Sequence, residues 1–91
     1  MTKMDLYAIA VSMVGQAQPT MLYETISERK LIPVSQDRSK LEKYVDNIGI
    51  RTLMKETRMD VNSDLSHTTI LNIYPLVHAG IISEDRLHIL P

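Results

Sequence analysis

The chain has 91 residues, of which 44% are hydrophobic and 23% are charged, and its formal net charge is −1. This balance is typical of one folded domain spanning residues 1–91, and it argues against a disordered chain or several domains. Because the sequence contains no cysteine, it excludes disulfide bonds, thiolate metal sites and a cysteine nucleophile, and we expect the protein in the reducing cytoplasm.

The first third of the chain predicts two helices. Leu6, Ile9 and Met13 recur at helical spacing, which favours a helix that ends near residue 16. Pro19 suits the first turn of a second helix, since a proline at that position loses no hydrogen bond. Pro33 pushes the preceding residue out of helical geometry, so the second helix is expected to end there.

The middle of the chain predicts two more helices. Residues 39–42 read Ser-Lys-Leu-Glu, which is the capping-box pattern of a helix start, and Gly49 is a typical residue after a helix end. The spacing of Ile50 and Leu53 indicates a fourth helix over residues 50–59. The sequence Asp-Val-Asn-Ser-Asp that follows predicts a turn, because these side chains bond to nearby backbone groups.

Residues 66–80 read SHTTILNIYPLVHAG and contain no charged residue. Ile70, Ile73 and Val77 fit one face of a helix, which is the interpretation we favour, with a kink at Pro75. The alternative is a short extended stretch followed by a new helix from Pro75, because TTILNIY is rich in strand-forming residues.

Residues 84–90 are short enough to form either a strand or a helical turn, and the alternation in Arg-Leu-His-Ile-Leu leaves both open. The predicted fold class is therefore mainly α. We expect a small single-domain bundle of four to five short helices, with a short C-terminal strand or hairpin as an open alternative.

The sequence lacks the motifs that carry catalysis or cofactor binding. His67, His78 and His88 lie too far apart along the chain for a metal-ligand motif, and the three glycines stand singly rather than in a phosphate-binding loop. Polar residues interrupt the long uncharged runs, so neither run resembles a membrane span. We therefore expect a non-enzymatic protein with no catalytic residues, no metal, no cofactor and no membrane segment.

Basic residues concentrate in the middle of the chain, where residues 29–58 hold eight of the ten and only four acids. The simplest interpretation is a solvated face on two helices. The functional interpretation is a basic patch for an acidic protein or a phosphate backbone. The candidate patch consists of Lys40, Lys43, Arg51, Lys55 and Arg58.

The second half of the chain is similar in outline to a winged helix-turn-helix module. The resemblance places a helix at 50–59, a turn at 60–64, a DNA-reading helix from residue 65 and a wing strand at 86–90. The residues that match the start and the end of the reading helix are Ser66, Thr69, Ile70, Gly80, Ile81 and Ile82. The resemblance implies a DNA-binding transcriptional regulator, yet that helix lacks Arg, Lys and Gln to contact phosphates or bases.

Because charge disfavours nucleic acid, we expect a small regulatory or adaptor protein that binds another protein or itself. A phage-type inhibitor of host machinery is one form that such a protein takes, and a homo-oligomer would add buried area to a small domain. The longest uncharged run is the expected binding seam. The predicted interface residues are Ile70, Ile73, Tyr74, Val77 and Ile81.

Overall fold

The computed structural model describes residues 5–13, 21–25, 29–49, 52–53 and 66–91. In chain order, the elements are strand β1 (Tyr7–Met13), strand β2 (Met21–Leu22), strand β3 (Ile32–Ser35), helix α1 (Arg38–Ile48), strand β4 (Ser66–Asn72), helix α2 (Tyr74–His78), a 3-10 turn (Glu84–Arg86) and strand β5 (Leu87–Ile89). The described strands form a five-stranded mixed sheet. The predicted mainly α helical bundle is therefore wrong.

Strand β1 lies at the centre of this sheet. Strand β4 pairs with it in antiparallel orientation along its whole length, from Tyr7 opposite Asn72 to Met13 opposite Ser66. The other edge of β1 pairs with β3 near its start and with β2 near its end, and both pairings are antiparallel. Strand β5 pairs in parallel with β3. Strands β4 and β5 thus lie at opposite edges of the sheet.

The first predicted helix is wrong because β1 is buried on both faces. Ile9 and Val11 are fully buried in one core cluster with Leu41 of α1. Ala8 is fully buried in a second core cluster with Ile73, on the opposite face of the sheet. A strand buried on both faces reads as a continuous apolar run, so its sequence cannot be told from that of a buried helix by periodicity.

The second predicted helix is also wrong where the structure describes it, because Met21–Leu22 form β2 and Thr25 forms an antiparallel bridge with Leu31. The Tyr23 N–H donates to the Ile9 carbonyl at 2.9 Å, which ties the segment after β2 to the central strand. Pro33 lies inside β3 and is opposite His88 of β5. This hydrogen bond and this strand pairing join residues that are distant in sequence, and local helical spacing carries no information about either.

The predicted helix after residue 39 is confirmed as α1, although its cap differs. Asp37 is the N-cap residue, and its Oδ1 accepts hydrogen bonds from the Ser39 N–H at 3.0 Å and the Ser39 hydroxyl at 2.7 Å. An N-cap carboxylate satisfies helix N–H groups that lack an internal partner. Gly49 ends the helix with a φ of 82°, as its position in the sequence predicted.

The favoured helix over residues 66–80 is wrong for its first half, which is strand β4. The alternative, an extended stretch followed by a helix at Pro75, is confirmed, because α2 begins at Tyr74 and places Pro75 in its first turn. Asn72 shapes the junction. Its side-chain oxygen accepts hydrogen bonds from the Leu6 N–H at 2.9 Å and the Tyr74 N–H at 3.0 Å.

Helix α2 ends in a Schellman motif that reverses the chain. Gly80 has a φ of 76°, and its N–H donates to the Val77 carbonyl at 3.0 Å. The Ile81 N–H donates to the Leu76 carbonyl at 2.9 Å, which completes the motif. The chain then passes through the 3-10 turn into β5, so the C-terminal strand that the sequence left open is present.

Candidate protein-interaction surface

The outer edge of β4 is open in the part of the chain that the structure describes. Strand β4 pairs with β1 on its inner side, and no other described strand pairs with it. Seven residues at about 3.4 Å each give an edge roughly 24 Å long. Such an edge offers backbone N–H and C=O groups to an extended segment of another chain.

Two hydrogen bonds define how the backbone of β1 is oriented. The Tyr23 N–H donates to the Ile9 carbonyl at 2.9 Å, so Ile9 directs its backbone groups toward β2 and away from β4. The Ile73 N–H donates to the Leu6 carbonyl at 2.7 Å, so Leu6 directs its carbonyl toward the β4 side. Since antiparallel ladders alternate along the strand, the even-numbered residues of β1 are those bonded to β4.

This alternation determines which groups of β4 face outward. Ala10 is opposite Thr69, so these two residues exchange their backbone hydrogen bonds. Ile9 is opposite Ile70 in a pair without hydrogen bonds. Ile70 therefore directs its N–H and C=O away from β1, in the plane of the sheet, and Thr68 does the same. The outward backbone groups of Thr68 and Ile70 are the centre of the open edge.

The side chains of β4 place no charge on this edge. Its sequence is SHTTILN, whereas edge strands are commonly protected by lysine, proline or a bulge. Thr68 and Ile70 are half-buried on the face covered by α1, and His67, Thr69 and Leu71 are exposed on the opposite face. The strand therefore carries apolar and hydroxyl groups that are compatible with pairing.

A groove of about 310 Å³ separates β4 from helix α1. Its lining residues are Arg38, Glu42, Val45, Asp46, Thr68, Thr69 and Ile70. The helix side carries three charged residues one turn apart. Arg38 Nε lies 3.6 Å from the Glu42 carboxylate, and both side chains are 58% exposed. An exposed ion pair of this kind contributes little to stability, so these charges remain available to a binding partner.

Further apolar side chains are exposed outside β4. Leu76 is 39% exposed and Ile81 is 72% exposed, and the Schellman motif brings the two residues together. Ile89 of β5 is 73% exposed beside a second groove of about 330 Å³. Residues Leu6, Tyr74, Val77 and Leu87 also line that groove. These side chains provide exposed apolar surface outside β4.

The structure divides the five predicted interface residues between the core and the surface. Ile73 is 1% exposed and belongs to the core cluster that contains Ala8. Ile70 and Val77 are half-buried against opposite cores, and Tyr74 is also half-buried. Ile81 is the most exposed of the five. The five residues do not form one seam, and an interface that includes them stays a prediction.

The structure describes part of the predicted basic patch. Lys40 and Lys43 lie on α1 beside Asn47 and Leu90, around a groove of about 340 Å³. The remaining residues of the patch, which lie outside the described residues, are Arg51, Lys55 and Arg58. The patch therefore stays a prediction.

The helix on which the resemblance to a winged helix-turn-helix module rested is not formed. Strand β4 occupies the start of the predicted reading helix, and α2 has five residues. The preceding helix and turn of that module, at residues 50–59 and 60–64, lie mostly or wholly outside the described residues. The predicted reading helix is therefore wrong, and DNA binding itself stays a prediction.

Among the described titratable groups, Asp37 has a pKa that its surroundings shift. The hydroxyl and the backbone N–H of Ser39 donate to Asp37, which holds the pKa of that carboxyl below its ordinary value of 3.8, and Lys40 and Lys43 act in the same direction. Among the residues that the structure describes, no three His or acidic side chains are grouped to hold a metal ion. None of the described helices is long and apolar enough to cross a membrane.

Sequence reasoning missed the open edge because an edge is a property of pairing. The uncharged run and the strand-forming residues of TTIL were visible signals. What identifies the edge is the partner strand β1, which lies far upstream, and the direction in which Thr68 and Ile70 point their backbone groups.

The fold and this surface define a small mixed α/β protein with helices on both faces of its sheet and an uncharged edge strand, β4, whose outer side no other described strand covers. No family model, curated protein or solved structure matches the chain.

Proposed function

We propose that this chain is a small non-enzymatic protein of the cytoplasm that acts by binding another protein through the edge of β4. One observation carries the proposal: Thr68 and Ile70 direct their backbone groups outward from a seven-residue strand that has no charged residue. The absence of cysteine is consistent with the reducing cytoplasm.

The surroundings of the edge support a binding role. The groove beside it offers Val45 and Ile70 as apolar contacts and Arg38 and Asp46 as charges of both signs. Main-chain hydrogen bonds supply affinity in strand addition, and side-chain contacts along the strand supply specificity. A partner segment that pairs with β4 would therefore form main-chain hydrogen bonds at the strand edge and side-chain contacts in the groove beneath α1.

A photo-crosslinking experiment tests this role. A benzophenone side chain replaces His67, which is exposed on β4, and the matched control places it at Asp85, which is exposed beside β5. After irradiation in the cells that produce the protein, we expect a discrete protein adduct from position 67 and much less from position 85.

The same experiment repeated with Thr68→Pro tests whether the backbone edge is responsible. Proline at position 68 removes an outward N–H without breaking the ladder to β1, so the monomer is expected to fold and the adduct to disappear. An adduct that survives Thr68→Pro in a folded protein would contradict strand addition. Equal adducts from His67 and Asp85 would contradict a role for β4 altogether.

A further inference from the structure

We infer that the protein bound at β4 is a second copy of this chain, and that the two β4 strands pair in antiparallel orientation about a two-fold axis at Thr69. The inference rests on the proposed function and names its partner. It predicts one continuous sheet across the dimer, with the α1 helices of both copies on the same face.

The direction of the backbone groups selects the register. With the axis at Thr69, Thr68 is opposite the partner's Ile70, and these two outward-facing residues exchange both N–H···O bonds. A shift of the pairing by one residue would place outward groups opposite inward ones, so no ladder could form. Moving the axis to Thr68 or Ile70 would leave the strand ends without partners. The register centred on Thr69 therefore pairs the whole of Ser66–Asn72.

The charges on α1 are complementary under the same symmetry. Arg38 and Asp46 lie at opposite ends of the helix side that lines the groove, about 12 Å apart along the helix. A two-fold axis reverses the second helix, so the Arg38 end of each α1 faces the Asp46 end of the partner's α1 across the seam. Glu42 lies between them and faces its own copy, and Arg38 at 3.6 Å offsets that like charge. The opposite charges of the two helix ends therefore favour this orientation.

The opposite face of the sheet also gains contacts in this register. Thr69 is opposite the partner's Thr69 in a pair without hydrogen bonds, where side chains come closest. Leu71, which is 40% exposed in the single chain, is opposite the partner's His67. Pairing therefore covers an exposed apolar side chain on one face while the charged residues of α1 meet on the other.

Charge pairing at the axis provides the test, because the side chain at position 69 meets its own copy there and nowhere else in the dimer. Thr69→Lys and Thr69→Glu each place like charges opposite each other, and we expect each to weaken self-association about fivefold. Random pairing in an equimolar mixture would make half of all dimers mixed. With one variant labelled with nitrogen-15, native mass spectrometry should show that mixed dimers exceed this half. Asn47→Lys and Asn47→Glu, on the opposite side of α1, serve as matched controls and should mix statistically.

Hydrogen exchange of the wild-type chain gives a second measurement that needs no variant. The Thr68 and Ile70 amides should exchange rapidly in dilute protein and become protected as the concentration rises, while the Thr69 amide, bonded to β1, stays protected throughout. A chain that remains monomeric up to about 1 mM would overturn the inference. So would statistical mixing of the two Thr69 variants in a protein that does self-associate.

The two proposals fail in different ways. Crosslinks from His67 to an unrelated protein, together with a monomeric chain, would overturn the second copy as partner and leave binding at the β4 edge intact. Self-association that is insensitive to charge at Thr69 but abolished by Thr68→Pro would overturn the register. Absence of both crosslinks and self-association would overturn the proposed function as well.

Discussion

Proline substitutions at two adjacent positions of β4 are expected to lower the free energy of unfolding by very different amounts. Thr69 directs its N–H toward the carbonyl of Ala10, whereas Thr68 directs its N–H away from the sheet. Thr69→Pro therefore removes a ladder hydrogen bond and places a pyrrolidine ring against β1. Thr68→Pro removes a donor that has no partner strand among the residues that the structure describes, and an edge strand accepts proline at such a position.

The burial of Ala10 indicates the size of the difference. Ala10 is fully buried, so a carbonyl left without its donor costs about 1–3 kcal/mol, and crowding by the ring adds to that. We expect Thr69→Pro to lower the free energy of unfolding by at least about 2 kcal/mol. For a domain of this size that corresponds to a fall in Tm of roughly 8–16 °C. Thr68→Pro should change the free energy of unfolding by less than about 1 kcal/mol.

Thermal unfolding followed by circular dichroism measures both variants in dilute protein, where association does not contribute. The pair is well matched, because both positions carry threonine in the same strand and both preceding residues are extended. If residues 66–72 were the first turns of a helix, the two prolines would have similar effects on the free energy of unfolding. Equal losses of stability, or a larger loss for Thr68→Pro, would refute the assigned direction of the backbone groups.

Four further substitutions test the core, an exposed control position, the turn after α2 and the cap of α1. Ile73→Ala, at a residue 1% exposed, should lower the free energy of unfolding by about 2–5 kcal/mol in urea titrations. Ile81→Ala, at a residue 72% exposed, should change it by less than about 0.5 kcal/mol. Gly80→Ala should cost about 1–2 kcal/mol through backbone strain at φ 76°, because the added methyl group meets no atom within 4 Å. Asp37→Ala should lower Tm at pH 7. Since folding depresses the pKa of Asp37, its contribution is present above pH 3.8 and is lost as the pH falls through the folded pKa, so the Tm difference should shrink in acid.

Local signals in the sequence were sufficient for α1 and for the start of α2. Gly49 has the positive φ that favours glycine after a helix, and Pro75 lies in the first helical turn, where its missing N–H has no cost. Both features act within a few residues of the position they define. A pattern of this kind can be interpreted without knowledge of the rest of the fold.

The strands could not be predicted in the same way, because burial on both faces removed their alternation. Ala8 and Ile9 are consecutive and both fully buried, but they pack into different cores. Leu6, just before β1, and Ile9 and Met13 within it coincidentally matched helical spacing. Tertiary pairing, not local propensity, decided the conformation of that segment.

The sequence singled out the segment that contains the candidate edge strand, but as a helix face. The uncharged run around β4 was identified as the binding segment, and an apolar helix face was expected there. Ile73, which that interpretation placed at the interface, is a core residue at 1% exposure. The surface that remains is the backbone of Thr68 and Ile70, which any residue type except proline could have supplied, so side-chain identity could not indicate it.

Strand β4 contributes to folding and to proposed binding through separate sets of atoms. Its inward backbone groups bond to β1, and the Ile70 side chain packs against the core beneath α1. Its outward backbone groups at Thr68 and Ile70 are left for a partner. Because the Ile70 side chain also lines the groove, alanine substitution there would disturb both roles and could not separate them. Backbone substitutions at Thr68 and charge substitutions at Thr69 change one role at a time, which is why the tests of function depend on them.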